Sequence, residues 1–394
     1  MFLEKFEKLH QNRVFGLDLM RAMAIVMVIL GHTRWLSDSF PRPIDKLFHG
    51  SGILGVELFF VLSGFLIGRI LLNQFMKNPD FGWKEIKEFW IRRWFRTLPA
   101  YFLILTTVIL VYPSWVPSMI WKYYLFLQNY VTDSPRFYGE SWTLSLEEHT
   151  YLVAPLALVG IAFLLPKTVD RAKVFLYSAI AVILTVIAIR TIWVYSFPEL
   201  FEKWDTVRRT VVFRLDTIFY GFIAAVVSVK YPGAWRKFRI PALILGLIIV
   251  LPVLVYYKQS MKGFAALPWQ NAFIITLINV SVLLMLPFFA AIKEMKVVPV
   301  RRVITFVSVI SYSLYLLNDT LISRGLYESL KPFTPTFPLS GIMYVGYLTV
   351  TLAASYYLYM YFERPMTNLR NQFAPDKSKK KSISDPVPAA TSVV

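Results

Sequence analysis

Long apolar stretches separated by short polar segments recur along most of the chain. Each is close to the roughly 20 residues that a helix needs to cross the hydrocarbon core of a bilayer. There are ten, at about residues 17–36, 52–72, 97–115, 144–165, 174–195, 211–229, 241–257, 269–291, 303–322 and 339–361. This pattern predicts an all-α fold, a polytopic transmembrane helical bundle of about ten spans. The aromatic segment 116–131 is short and contains Lys122, so we expect it at the membrane surface.

The composition supports this interpretation and narrows the chemistry. Of the 394 residues, 56% are hydrophobic and 17% charged, against about 25% charged in a typical soluble domain. The absence of cysteine excludes disulfides, thiolate nucleophiles and cysteine-ligated metals. The four histidines, at positions 10, 32, 49 and 149, have no ligand spacing, so we expect no metal centre.

The net charge of +18 is distributed unevenly. If the N-terminus is inside, the inner segments carry 26 Lys and Arg residues and the outer ones 12. The positive-inside rule then places both termini in the cytoplasm. We expect the cationic segments to contact anionic membrane lipids and not nucleic acid. Residues 1–373 are interpreted as one integral membrane domain, and the Lys- and Ser-rich segment 374–394 as a disordered basic cytoplasmic tail.

Ionisable residues inside the predicted spans are the candidate functional groups, because a charge at mid-bilayer costs at least about 2.5 kcal/mol. They form two groups by predicted depth. The inner group forms a cationic mouth and consists of Arg21, Arg69, Arg93 and Arg96. The outer group consists of His32, Glu57, Glu147, Glu148, Arg190, Arg214, Asp216 and Asp319.

Arg21 and His32 fall on one face of the first span. Eleven helical residues rotate about 20° beyond three full turns and rise roughly 16 Å. The span therefore carries a guanidinium, which suits phosphate recognition, at its inner end. His32 lies towards the outer end, where an imidazole that titrates near neutral pH can act as a general base. A hydrogen-bonded structural histidine is the alternative.

Two carboxylates begin the fourth predicted span. Ser145 and Glu148 fit a Ser-x-x-Glu capping box, so Glu148 is a candidate helix cap. Glu147 has no such role and could orient or stabilise an imidazolium at His32. In the sixth span, Arg214 and Asp216 do not face each other, so each is expected to pair with another span or to contact substrate.

In the second span, Gly64 and Gly68 form a small-xxx-small pair typical of close helix packing.

These segments, taken in order, resemble the acyltransferase-3 family of integral membrane acyltransferases over most of residues 13–366. The first segment, GLDLMRAMAIVMVILGHTRW, carries the family's arginine and histidine, here Arg21 and His32. GVELFFVLSGFLIGRIL and RLDTIFYGFIAA are similar to other family helices, and FWIRRWFRTLPAYF contains its Arg-x-x-Arg at Arg93 and Arg96. SWTLSLEEHTYLVAPL, ISYSLYLLN and YFERP match later segments. Thr143, His149 and Asn318 depart from residues common in the family.

The resemblance implies a ten-helix enzyme of a multi-pass membrane, usually the bacterial inner or cytoplasmic membrane. It would transfer an acyl group, usually acetyl, from cytoplasmic acyl-CoA to a hydroxyl of a cell-envelope glycan or related acceptor. Acyl-CoA is then a donor co-substrate and no cofactor is bound permanently. No additional extracytoplasmic domain of the kind found in fused members is expected here.

The predicted roles follow from that reaction. Arg21, Arg69, Arg93 and Arg96 would bind the donor's phosphates, His32 and Glu147 would be catalytic, and Glu57, Glu148, Arg214 and Asp216 would contact the acceptor. His32 could either deprotonate the acceptor hydroxyl or carry the acyl group covalently. A non-enzymatic transporter or flippase for an envelope glycan or lipid-linked sugar is the main alternative, and a scaffold or sensor with structural ion pairs is a third.

Overall fold

The computed structural model describes residues 2–8, 13–48, 51–131, 137–166, 168–201, 204–260, 267–330 and 336–373. The regular structure of these residues is helical, with no strand among them. The main helices are α1 Phe15–His32, α2 Ser51–Lys77, α3 Trp83–Val111, α4 Ser141–Leu164, α5 Arg171–Ser196, α6 Phe219–Lys230, α7 Arg239–Ser260, α8 Pro268–Ala291, α9 and α10. Helix α9 comprises Val298–Val309, Ser311–Leu317, the π-helical turn Asn318–Ser323 and Arg324–Leu330, and α10 comprises Leu339–Leu358, the π-helical turn Tyr359–Glu363 and Arg364–Phe373. The segment 374–394, predicted to be a disordered tail, lies outside the described residues, as do His10 and His49.

Short helices complete the described chain. They are Phe2–Lys8, Arg34–Ser37, Arg42–Phe48, Trp121–Tyr124, Trp204–Arg209 and Pro232–Lys237, with 3₁₀ turns at Pro113–Trp115, Pro198–Phe201 and Val211–Phe213. The predicted surface segment 116–131 contains one of them, the single turn Trp121–Tyr124.

Each of the ten predicted windows overlaps one of the helices α1 to α10. Among the described residues, eight helices are long and apolar enough to cross a membrane, and α9 makes a ninth if its two halves, bent by 57°, form one span. The all-α polytopic bundle is therefore confirmed, and the chain is a multi-pass membrane protein. The remaining window, the sixth, is represented by α6, whose 12 residues rise only about 18 Å.

Several predicted boundaries are wrong; helix α10, for example, continues to Phe373, 12 residues beyond the predicted end at 361. Helix α3 begins at Trp83, 14 residues before the predicted start at 97, so that Arg93 and Arg96 lie within the helix. Seven of the first 14 residues of the helix are charged, so this part lay outside the apolar window. At its start the Glu85 carboxylate accepts a hydrogen bond from the Gly82 amide at 3.0 Å. In the sixth window, residues 214–218 form turns and not a helix.

The irregular backbone before α6 is enclosed by the protein. Seven residues of this segment are at most 1% exposed: Thr210, Val211, Phe213, Arg214, Asp216, Thr217 and Ile218. Arg190 of α5 donates to the Phe213 carbonyl at 2.7 Å, and the Val211 amide donates to the Asn129 carbonyl at 2.9 Å. Non-helical backbone can lie at membrane depth when neighbouring groups satisfy it in this way, so this segment and α6 together occupy the sixth position.

Helix α6 approaches α2 at the predicted small-residue pair. A Cβ at Gly64 would collide with the Ile218 carbonyl oxygen, and one at Gly68 would lie 3.1 Å from the Phe222 Cα. On the α6 side of the same contact, a Cβ at Gly221 would collide with the Val61 carbonyl oxygen. Close packing at Gly64 and Gly68 is thus confirmed, and it fixes the part of α2 that carries Ser63.

Predicted inner segments contact one another at one end of the bundle. The Gly16 amide at the start of α1 donates to the Ile292 carbonyl after α8 at 2.9 Å, and Arg171 donates to the Pro79 carbonyl at 2.9 Å. Lys230 donates to Asp170 at 2.7 Å, and this hydrogen bond lowers the pKa of Asp170. These contacts put the starts of α1 and α5 and the ends of α2, α6 and α8 on one side.

Candidate functional site

A pocket enclosing about 770 Å³ of empty space, including its opening to solvent, lies among α1, α2, α3, α4 and α9. Its polar lining includes Arg21, Ser63, Arg93, Arg96, Glu147 and Tyr315. Apolar side chains such as Val56, Phe59 and Leu144 complete the wall. Three of the four predicted donor-binding arginines therefore meet in one cavity.

Asp18 anchors Arg21. The buried carboxylate of Asp18, one turn earlier in α1, pairs with Arg13 and lies 3.5 Å from Arg21 Nη1. Ser308 of α9 donates to the same carboxylate at 2.8 Å. Asp18 is therefore shared among several donors, which leaves Arg21 only partly neutralised beside the pocket.

Arg93 is held by α4. Its Nη2 donates to Glu147 at 3.0 Å and to the Tyr151 hydroxyl at 2.6 Å. Arg96 lies three residues further along α3, lines the same pocket and is exposed. With three guanidinium groups and one carboxylate in its wall, the pocket is cationic and suits an anionic ligand that pairs with the donors of arginine.

The pocket lined by Arg21, Arg93 and Arg96 is called the arginine pocket below. His32 is the last residue of α1 and lies beyond this pocket, towards the other end of the bundle. Its Nδ1 lies 2.6 Å from Asn318 Oδ1, and its Nε2 lies 3.9 Å from an Asp319 carboxylate oxygen. The side chains of His32 and Asp319 are 27% and 29% exposed, so the imidazole is accessible. Asn318 and Asp319 belong to the π-helical turn of α9, a helix deviation that is frequent at functional sites.

Helix α9 connects the two regions. Ser311, Tyr312 and Tyr315 line the arginine pocket, and Asn318, one turn after Tyr315, contacts His32. Helix α1 makes the same connection from Arg21 to His32. Two helices thus run side by side from the cationic pocket to the imidazole.

Glu147 and His32 lie in different surroundings. Glu147 is paired with Arg93 in the pocket, whereas the described groups that contact the imidazole are Asn318 and Asp319. A role of Glu147 in stabilising an imidazolium stays a prediction.

The expected capping box at Glu148 is wrong, because α4 begins at Ser141. Ser145 instead donates to the Phe126 carbonyl at 2.5 Å, and Glu148 accepts from Thr97 at 2.9 Å.

The remaining predicted residues lie outside the pocket wall. Arg69 is exposed and its guanidinium lies over the Phe65 ring, 5.7 Å from the centroid. Arg214 pairs with Glu57 at 2.7 Å and Asp216 with Arg190 at 3.4 Å, with no exposed side-chain surface in either pair. This confirms that Arg214 and Asp216 each pair with another span. Substrate contacts by Glu57, Glu148, Arg214 and Asp216, and donor binding by Arg69, stay predictions.

Glu140 is a structural anchor that sequence reasoning missed. Its buried carboxylate accepts from the amides of Asp319 and Thr320 at 3.1 and 2.8 Å and from the Thr320 hydroxyl. It therefore fixes the backbone that carries Asp319. The only local signal was its position just before the Ser-Trp-Thr segment of α4, outside the predicted span. Among the described residues, no three His, Asp or Glu side chains are grouped as metal ligands.

Comparison with known proteins relates the site to a family. The model of a family described as an acyltransferase domain matches residues 14–360. The peptidoglycan O-acetyltransferase OatA of Listeria monocytogenes is 29% identical over 176 residues, 40% of this chain and 26% of that protein. The O-acetyltransferase OatA of Staphylococcus aureus is 28% identical over 188 residues, 43% of this chain and 28% of that protein. The matches thus span little more than a quarter of the length of these relatives. No solved structure matches this chain.

Proposed function

Since the chain belongs to the acyltransferase-3 family, with the acyltransferase domain matched over residues 14–360, we propose that it is a membrane O-acetyltransferase. It takes an acetyl group from cytoplasmic acyl-CoA and transfers it to a hydroxyl of a cell-envelope glycan. The names of the two relatives above, one of them a peptidoglycan O-acetyltransferase, support this acceptor class.

The arrangement of α1 is the observation that carries the proposal. One helix has Arg21 in a cationic pocket and an accessible His32 at its far end. Acyl-CoA has the matching form, because its phosphates lie at one end and its thioester at the end of a long pantetheine arm. The phosphates bind Arg21, Arg93 and Arg96, and the arm extends beside α1 and α9 towards His32.

The chemistry at His32 follows one of two routes. In the direct route, Nε2 accepts the proton of the acceptor hydroxyl while its oxygen attacks the thioester carbonyl. The C–S bond breaks, and the proton passes from the imidazolium to the departing thiolate. In the covalent route, Nε2 attacks the thioester carbonyl first, the C–S bond breaks and the CoA thiolate leaves. The acceptor oxygen then attacks the acyl carbon, the C–N bond breaks to restore the imidazole, and the hydroxyl proton neutralises the thiolate. Asp319, 3.9 Å from Nε2, stabilises the imidazolium in the direct route and the cationic acyl-imidazole in the covalent one.

The test is acetyl transfer by the purified protein in lipid nanodiscs, given labelled acetyl-CoA and an envelope-glycan extract. We expect His32→Ala to lower kcat by about 10²- to 10⁴-fold, the usual contribution of a general base. Arg21→Ala should raise the KM for acetyl-CoA about tenfold or more, since a hydrogen bond to a charged group contributes roughly 1.5–3 kcal/mol.

Matched controls are His149→Ala, whose imidazole contacts the Ser145 carbonyl in α4, and Arg236→Ala on an exposed short helix. Both should transfer acetyl like the wild type. Full activity of a correctly inserted His32→Ala protein would refute both routes. If the protein consumes labelled acetyl-CoA in the absence of acceptor and itself becomes labelled, the covalent route is identified. Glycan movement without thioester loss would favour the transporter alternative.

A further inference from the structure

The side chain of Asn318 has a fixed orientation. Its Nδ2 donates to the Leu314 and Tyr315 carbonyls at 3.0 and 2.8 Å, and the residue has no exposed surface. A carbonyl oxygen can only accept, so the amide nitrogen must face these two groups. Oδ1 is therefore the atom that faces His32.

This orientation determines which imidazole nitrogen carries the proton. Oδ1 is also only an acceptor, and it lies 2.6 Å from His32 Nδ1. Nδ1 must therefore donate, and in the neutral ring the lone pair then resides on Nε2. Nε2 is 3.9 Å from Asp319, beyond hydrogen-bond distance, so its lone pair remains available for a proton or an acyl carbon.

The backbone around Asn318 is braced from several sides. Tyr347 of α10 donates to the Asn318 carbonyl at 3.0 Å, and Ser323, at the end of the π-helical turn, donates to the His32 carbonyl at 2.9 Å. Glu140 holds the next two amides of the turn. The backbone that carries the Asn318 side chain is consequently held by Glu140, which precedes α4, by α10 and by α1 itself.

From this geometry we infer that Asn318 is a positioning residue, which holds His32 in the Nδ1-protonated form and makes Nε2 the reacting atom. The reacting role of Nε2 rests on the proposed function, whereas the tautomer does not. A neutral amide suits this task because it orients the ring without adding a second carboxylate beside Asp319. Catalytic histidines oriented by an asparagine occur in papain-like proteases.

The tautomer can be measured directly. Protein labelled with ¹⁵N-histidine is examined by long-range ¹H–¹⁵N correlation at a pH where the ring is neutral, with the His32 signals assigned by their loss in His32→Ala. Wild type should show a protonated Nδ1 and an unprotonated Nε2. Asn318→Leu should shift His32 towards the Nε2-protonated form, and Asn318→Asp, which keeps an acceptor at Nδ1, should not. Asn279→Leu removes another fully buried amide, on α8, and should leave the His32 signals unchanged.

Kinetics give the second measurement. Asn318→Leu should lower kcat for acetyl transfer about ten- to hundredfold, part of what a general base contributes, with little change in the KM for acetyl-CoA because the arginine pocket is intact. A protonated Nε2 in the wild type would overturn the inference, and this result does not depend on the folding of any variant. The inference would also be overturned if Asn318→Leu had the same His32 signals and the same kcat as the wild type. If the tautomer shifts as expected but the wild type transfers no acetyl group, the positioning of His32 is supported and the proposed reaction fails.

Discussion

Arg214 donates from one guanidinium nitrogen to both carboxylate oxygens of Glu57, at 2.8 and 2.7 Å, and neither side chain is exposed. Its Nε also donates to Thr217 at 3.1 Å. The geometry therefore favours a structural ion pair over a substrate contact. Removing one partner of such a pair costs more than removing both, because an unpaired charge is left buried.

We expect Arg214→Leu to destabilise the protein by about 3–5 kcal/mol, because Glu57 loses its counter-ion. The double variant Glu57→Met/Arg214→Leu should recover most of that stability and retain acetyl transfer. Thermal unfolding in detergent and the transfer assay measure the two effects. A stable but inactive double variant would instead support the predicted substrate contact.

For single residues, the sequence predicted the candidate functional side chains but few of the groups that contact them. Arg21 and His32 could be assigned to one helix face because helical geometry is local. Asn318 lies 286 residues from His32, and nothing in the spacing of either segment reveals that contact. Glu147 was assigned to His32 from its expected depth, but helix packing pairs it with Arg93.

Among the helices, interruptions occur where side chains replace backbone hydrogen bonds. In the segment before α6, the Phe213 carbonyl accepts from Arg190 of α5, and in the π-helical turn of α9 the amides of Asp319 and Thr320 donate to Glu140. Hydropathy predicted the positions of both elements, because each is apolar overall. It could not predict the breaks, since the groups that satisfy the freed backbone come from distant parts of the chain.

The α2–α6 contact depends on glycine. We expect Gly64→Ala to destabilise the protein by about 1–3 kcal/mol, the usual cost of overpacking, because the added methyl would collide with the Ile218 carbonyl. The adjacent Ser63 lines the arginine pocket, so acetyl-CoA binding should weaken as well. Thermal unfolding and acetyl-CoA titration test this.

Gly160→Ala in α4 is the matched control, because nothing lies within 4 Å of a Cβ there. It should be neutral or stabilising, since alanine is favoured over glycine in helices by up to about 1 kcal/mol. Equal stability of the two variants would contradict the close packing.

For the molecule as a whole, contacts at each end of the bundle agree with the predicted alternation of sides. At the predicted outer side, Ser39 meets Ser340 at the start of the tenth span, with their hydroxyls 2.6 Å apart. Two predicted outer segments also meet where Asn129 donates to the Arg209 carbonyl at 2.6 Å. Predicted inner segments meet at the opposite ends of these helices, as at Gly16 and Ile292. The fold thus relates the segments to one another, whereas which side faces the cytoplasm follows from the charge bias alone.

The absence of cysteine makes that orientation directly testable, because every introduced thiol is unique. We expect Asp38→Cys and Glu199→Cys, in exposed outer segments, to react with a membrane-impermeant maleimide in right-side-out vesicles. Asp80→Cys and Lys293→Cys, exposed at the other end, should react only in inverted vesicles, and the cysteine-free parent in neither. The reverse pattern would put the arginine pocket on the outer side and so remove cytoplasmic acyl-CoA as the donor. Labelling of all four sites from one side would contradict a bundle that crosses the membrane.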